Sequence, residues 1–266
     1  MTRSRRVGGR APAVLIVPAA LGLAFLVLPL AGLVIRAPWT TLPARLAQPG
    51  VLTALRLSVQ TASMATVVCV LLGVPLAWLL ARLDFPGRRI VRALVTVPLV
   101  LPPVVGGVAL LLVFGRRGLI GGWLDATFGI TLPFSTTGVV LAEAFVAMPF
   151  LVIAVEGALR GADYRYEEAA ATLGASRWTV FRRVTLPLVA PGIAAGAVLC
   201  WARALGEFGA TITFAGNFPG RTQTIPLAVY LALETDLQAA IVLSLVLLVV
   251  SVAILVGLRD RWLTTP

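Results

Sequence analysis

Arg203 and Glu207 stand four residues apart near the end of a long apolar stretch. At that spacing they share one helix face. A charged side chain near the middle of a bilayer costs about 2.5–3.5 kcal/mol. The two must therefore pair, face a polar cavity, or sit close to an interface. Two readings stay open: a structural ion pair near the outer end of a span, or part of a pathway or gate in which the arginine meets an anion. Gly206, Gly209, Gly216 and Gly220 surround the pair and permit close helix contact or sharp turns. Asn217, Arg221, Thr222, Gln223 and Thr224 follow in a polar stretch. Such donors suit an oxyanion, and a solvated loop or one that contacts a docked protein would carry them too. Glu143 is a second carboxylate inside an apolar stretch, with no basic residue three or four positions away. It either bonds another helix or lies near the outer interface, or it couples transport to protons. Proton coupling needs a relay, and Glu143 and Glu207 are its only candidates.

Other chemistries are absent from the residue inventory. There is no histidine, which removes imidazole metal ligands, histidine-based catalytic triads and histidine proton relays. Cys69 and Cys200 lie in separate apolar stretches and read as small apolar fillers. No metal site is expected. All 22 basic residues are arginine, so the lysine of a nucleotide-binding loop cannot be present. No nucleophile elbow or zinc-protease motif occurs, and the chain reads as a non-enzyme. A net charge of +11 could suit nucleic acid, but the arginines fall in short runs between apolar stretches. That pattern is membrane topology.

The elements that must position these residues are membrane helices. The chain is 59% hydrophobic and 12% charged, with a mean hydropathy of +0.98, too few charges to clothe a soluble domain of this length. Six stretches reach the length of a span: Ala13–Ile35, Leu57–Ala81, Ala93–Phe114, Thr137–Leu159, Ala190–Phe208 and Leu237–Leu258. The fold class is all-α, polytopic, with about six transmembrane helices. Pro98, Pro102 and Pro103 predict a bend or a late start in the third span. The first stretch follows a basic cluster, Arg3, Arg5, Arg6 and Arg10, but is longer than a signal-peptide core, so it reads as an uncleaved helix. Fifteen of the 22 arginines fall on the side that holds both termini, which places that side in the cytoplasm. The expected organisation is residues 1–51 as N-terminus, first helix and external loop, 52–258 as the core with a cytoplasmic loop at 160–188, and 259–266 as a cytoplasmic tail.

That cytoplasmic loop carries the second constellation. Ala169, Ala170, Ala171 and Leu173 favour a helix. Gly174 interrupts it as a C-cap or hinge, and Ser176 can cap a new helix. Pro187 is expected to end that second helix. Trp178 and Phe181 face together, flanked by Arg177, Arg182 and Arg183. So apolar and small a surface suits a partner, although packing on the chain's own bundle stays open. The residues Glu168-Ala169-Ala170, Gly174, Val184 and Leu186-Pro187 stand at the spacings of the EAA loop of ABC-transporter permeases, with valine for isoleucine as the one departure. The chain resembles that family, in its type I importer form. The resemblance implies that this loop is a coupling helix seated in a groove of a cytoplasmic ATPase dimer. Glu168 would make a polar contact there or brace the loop. Ala169 and Ala170 would allow close approach, and Gly174 the turn; Arg177, Leu186 and Pro187 complete the candidate coupling residues.

Arg203–Tyr230, with the runs Pro102–Gly107 and Gly73–Ala77, resembles permeases of oxyanion importers, molybdate or tungstate most of all and sulfate or thiosulfate next. Arg203, Gly206, Glu207, Asn217, Arg221 and Thr222 are then the pathway or gate candidates. The partners implied are a second copy of the chain, the ATPase with its ATP and magnesium, an external oxyanion-binding protein, and lipid. No cofactor is expected in this chain, and no nucleic acid. An ion-coupled secondary transporter is the alternative of another class. It would work without an ATPase and depend on Glu143 or Glu207.

Overall fold

Among the described residues every regular element is a helix. The computed structural model describes the backbone of residues 13–262 and the side chains of residues 14–254. The four N-terminal arginines and the tail from residue 263 lie outside the described residues, as do the side chains of Arg259 and Arg261.

In chain order the helices are α1 (Ala13–Ile35), α2 (Leu42–Leu46), α3 (Pro49–Arg82), α4 (Arg88–Val100), α5 (Pro103–Phe114), α6 (Gly121–Phe128), α7 (Thr136–Gly161), α8 (Arg165–Thr172), α9 (Arg177–Leu205), α10 (Gly209–Ala215), α11 (Ile225–Thr235) and α12 (Leu237–Trp262). Five of them, α1, α3, α7, α9 and α12, are long and apolar enough to cross a membrane. The remaining span is the pair α4 and α5, bent by 118°. The bend was expected from the prolines. Leu101 and Pro102 both take extended ψ values, near 130°. Neither Pro102 nor Pro103 has an N–H to continue the ladder. The pair still follows α7 along its length. Arg92 bonds Glu156 near one end of α7, Gly106 meets Phe145, and Leu110 packs with Ala142 nearer the other end. Counted as one broken span, the pair brings the number to six.

α7 is the centre. Two thirds of its apolar window is buried, between α3 and α9. The core there is made of small and branched residues: Ala62, Ala65 and Ala77 of α3, Ala144, Ala147, Leu151 and Val155 of α7, Val189 and Ala204 of α9. In lipid the helices gain little from hiding apolar surface, so close packing of small residues must hold them. Gly73 lies against Leu151 and Val152, and Gly192 admits the Ala158 methyl. Cys69 and Cys200 sit in this core as free buried thiols, as fillers would. By contrast α1 buries none of its apolar window and packs only lightly on α12.

Two expectations need correction. Pro187 does not end a helix: α9 runs unbroken from Arg177 to Leu205. The missing N–H and the ring are absorbed by a π turn at Phe181–Thr185, where the Leu186 N–H reaches back five residues to the Phe181 carbonyl. The fifth span also stops at Leu205 instead of Phe208. The chain breaks at residues 206–208 and resumes as α10. Between the fifth and sixth expected spans the chain also forms α11, an eleven-residue apolar helix that neither span covers.

Candidate functional site

The two broken spans meet. A methyl group on Gly209, at the start of α10, would come within 2.9 Å of the Pro103 ring and 3.1 Å of the Val104 nitrogen, at the start of α5. One on Gly107 would come within 2.6 Å of Thr213 and 2.9 Å of the Ala210 carbonyl. The half-helices α5 and α10 thus lie backbone to backbone, and glycine is what lets them. Sequence reasoning did not single out Gly107. The signal was there in Pro102-Pro103 followed by Gly106-Gly107, a helix start and a contact face in six residues.

Glu207 lies in the second break. One carboxylate oxygen takes the Arg203 guanidinium at 2.7 Å, and the other accepts from the Ala210 backbone N–H at 2.8 Å. Glu207 is 1% exposed and the Arg203 side chain 26%. The carboxylate therefore ties the end of α9 to the first turn of α10, satisfying an N–H that the short helix would leave open. That gives the pair a bracing role. The uncovered part of Arg203 still faces outward from the chain. Gly206 caps α9 and is exposed.

Glu143 is also 1% exposed. One oxygen accepts from the Thr61 hydroxyl of α3 at 2.9 Å, and the other has no protein partner. This is the bond to another helix that the sequence left open, made across 82 residues and invisible to local spacing. The polar stretch after α10 divides by role. The buried Thr222 hydroxyl accepts from the Phe218 N–H at 2.9 Å and so closes a turn whose glycines, Gly216 and Gly220, take φ of 74° and 73°. Arg221 is exposed, and its carbonyl accepts from Thr136 at 2.9 Å. Asn217 is half-buried with its side-chain oxygen unpartnered. Of this stretch, Arg221 keeps its side chain exposed, Asn217 and Thr224 each bury an unpartnered oxygen, and Thr222 is spent on the fold. Ser58 of α3 takes the Ile225 N–H at 2.7 Å and seats α11 beside it. At the same end Arg45 and Asp236 join at 2.7 Å, which with backbone N–H bonds holds the Asp236 carboxyl below its usual range.

The loop between α7 and α9 lies at the opposite end. It is the helix, turn and helix expected, with α8 followed by Gly174 at φ +81° and Ser176 capping α9 through the Thr179 N–H. Glu167, not Glu168, makes the brace: it pairs with Arg82 at the end of α3, at 2.8 Å. Glu168, Ala169 and Arg177 are exposed and Ala170 half-exposed. Leu173 and Trp178 are exposed too, at 88% and 67%. Trp178 and Phe181 stack, their ring centres 5.7 Å apart, and Phe181 meets Trp78 of α3 edge-on. Leu186 is half-buried and Pro187 exposed, on the far side of the π turn. The loop is thus fastened to the bundle by Arg82 and Trp78, and it presents a small, apolar surface outward.

Residues 73–265 match the family described as "Binding-protein-dependent transport system inner membrane component". The chain is 53% identical to the molybdenum transport system permease protein ModB of Mycobacterium tuberculosis, over 92% of each chain. It is 47% identical to ModB of Escherichia coli K12, over 79% of this chain and 92% of that one. The sulfate transport system permease protein CysT of Escherichia coli is 37% identical, over 88% of this chain and 86% of that one. Among solved structures, a bacterial ABC transporter involved in the import of the acidic polysaccharide alginate shares the fold, with a TM-score of 0.77 at 18% identity over 95% of each chain.

Proposed function

The chain belongs to the family of binding-protein-dependent transport inner membrane components, and on that premise we propose that it forms the membrane pathway of an ATP-driven molybdate or tungstate importer. The observation that carries the substrate is the gap between 53% identity to a molybdenum permease and 37% to a sulfate permease, at similar coverage. A sulfate permease is the runner-up.

In this reading two copies of the chain enclose the pathway, and an external binding protein delivers the anion at the end that holds α2, α6 and α11. The arginine-rich end, with both termini, lies in the cytoplasm. There the exposed Ala169, Leu173 and Trp178 and the half-exposed Ala170 seat in the ATPase. ATP and magnesium stay on that subunit. The geometry supplies a route for the stroke. α9 begins in the docking loop and ends at Leu205, and Arg203 in its last turn lies 25 residues beyond Trp178, or about 38 Å at helical rise. A displacement of the loop is carried by one helix to the break where Glu207 holds α10. Because α10 lies backbone to backbone on α5, both half-helices move together, and their displacement opens or closes the pathway by alternating access.

The test is to purify the tagged chain with its partners from native membranes and measure uptake of labelled molybdate into proteoliposomes. Uptake should require ATP and the ATPase subunit, and tungstate should compete where sulfate does not. Equal competition by sulfate would make it a sulfate permease. Uptake without the ATPase subunit, lost in Glu143→Gln, would make it an ion-coupled transporter.

A further inference from the structure

At the arginine-rich end two cavities adjoin between α4 and α7. The first, about 280 Å³, is lined by Leu80, Val95, Thr96, Val152, Ile153 and Gly157, with the Glu156 carboxylate between Arg92 and Arg160. The second, about 590 Å³, is walled by Arg88, Arg89, Arg92 and Arg160 around the start of α4, with Asp84 beside them. Arg92 and Arg160 line both. One chamber is therefore mostly apolar, its single carboxylate spent on two arginines, the other is basic, and they share two guanidinium groups. Neither lies on the coupling route, and the Arg92–Glu156 bond that ties α4 to α7 runs along the first.

The charges do not cancel. Glu156 accepts from Arg92 and Arg160 on the same oxygen, at 2.8 and 2.7 Å. Arg88 is held by Asp84 and the Leu80 carbonyl. Arg89 makes no ion pair or side-chain hydrogen bond among the described residues. Four guanidiniums thus stand against two carboxylates, and the free donors of Arg89 and Arg160 face the cavity. The α4 N-terminus, behind Gly87, adds its own partial positive charge. Beside the basic chamber Ile90, Leu94 and Val97 are exposed along α4, and Ile153 is exposed on α7. Gly157 has nothing within 4 Å of where a side chain would begin.

We propose that this paired cavity binds one anionic phospholipid, its phosphodiester headgroup on Arg89, Arg92 and Arg160 and the start of its acyl chain beside Gly157 and Ile153. Basic pockets between membrane helices on the cytoplasmic side take such headgroups. The apolar chamber argues for a lipid over a free anion: a phosphate ion would fill only the basic one. The bound lipid wedges α4 to α7 at the end where the broken span begins, so it stabilises the base from which α5 projects.

The experiment uses the purified complex in zwitterionic detergent and follows its thermal unfolding midpoint. The titrants are short-chain phosphatidylglycerol, short-chain phosphatidylcholine and inorganic phosphate. Phosphatidylglycerol should raise the midpoint saturably, and phosphatidylcholine should not. Arg89→Gln, which breaks no contact of the fold, should weaken the response about fivefold. Gly157→Leu fills the apolar chamber without touching a charge and should weaken the response to the lipid while leaving any response to phosphate unchanged. Equal shifts with phosphatidylcholine, or an undiminished lipid response in both variants, would overturn the proposal. A phosphate response as strong as that to phosphatidylglycerol, unaffected by Gly157→Leu, would overturn the lipid in favour of a free-anion site.

Discussion

Replacing Arg203 by alanine strands the Glu207 carboxylate. That carboxylate is 1% exposed and keeps only the Ala210 N–H. Breaking a buried pair from one side costs about 3–5 kcal/mol. The quarter exposure of Arg203 lets solvent relieve part of this, so about 3 kcal/mol is expected. Glu207→Ala costs less, about 1–2 kcal/mol, because it loses a helix-end bond and leaves an arginine that can reach water. The double variant carries no stranded charge. It should be more stable than Arg203→Ala by about 1 kcal/mol, a coupling of roughly 2–3 kcal/mol. Reversible unfolding in mixed micelles measures this, and molybdate uptake by the same variants shows what it does to transport. If the pair braces the break between α9 and α10, the double variant also transports better than Arg203→Ala. Single changes that add to within about 0.5 kcal/mol would refute the brace. So would a double variant that regains stability but transports no better, since Arg203 would then be meeting the anion.

Further outcomes are expected at three positions. At Gly174, with φ +81° and open space around it, alanine should cost about 1–2 kcal/mol of loop geometry and asparagine less, so ATPase co-purification should fall in the order Gly, Asn, Ala. Gly174→Trp should abolish docking and transport in a protein that still folds, and normal co-purification would sink the coupling role. Gly209→Ala drives a methyl into Pro103 and should lower unfolding stability by about 1–3 kcal/mol, whereas Gly22→Ala, with nothing within 4 Å, should not. Asp236 has a depressed acid range, so the Arg45 tie is present above about pH 4, the unfolded carboxyl value, and is lost as pH falls below it. Asp236→Asn should flatten that acid limb of the unfolding profile.

What the sequence made legible was local. The residue pattern located the helix, turn and helix between α7 and α9, and helical arithmetic paired Arg203 with Glu207 and Trp178 with Phe181. Proline counting foresaw the bent third span. What it hid was long-range or cooperative. Thr61 as the partner of Glu143, Arg82 as the partner of Glu167, and the stacking of Gly209 on Pro103 depend on how spans pack, which no spacing encodes. Pro187 misled because a proline's missing bond can be absorbed by widening a helix as well as by ending it. α11 was missed because eleven apolar residues between two spans look like the edge of either.

The π turn at Phe181–Thr185 sets a phase. Successive residues of an α-helix are rotated by about 100°, and one wide turn inserts one extra residue into that winding. The faces on either side of it are therefore offset by about 100° from a straight helix. The extra residue is taken up in the wide turn, so deleting one residue there and rewinding ordinary helix leaves Trp178 and Arg203 in the same relative direction. Rewinding the turn with no residue removed turns them apart by about 100°. A one-residue deletion within Phe181–Thr185 is therefore expected to keep the two ends of α9 in phase, and the same deletion elsewhere in α9 to put them out of phase.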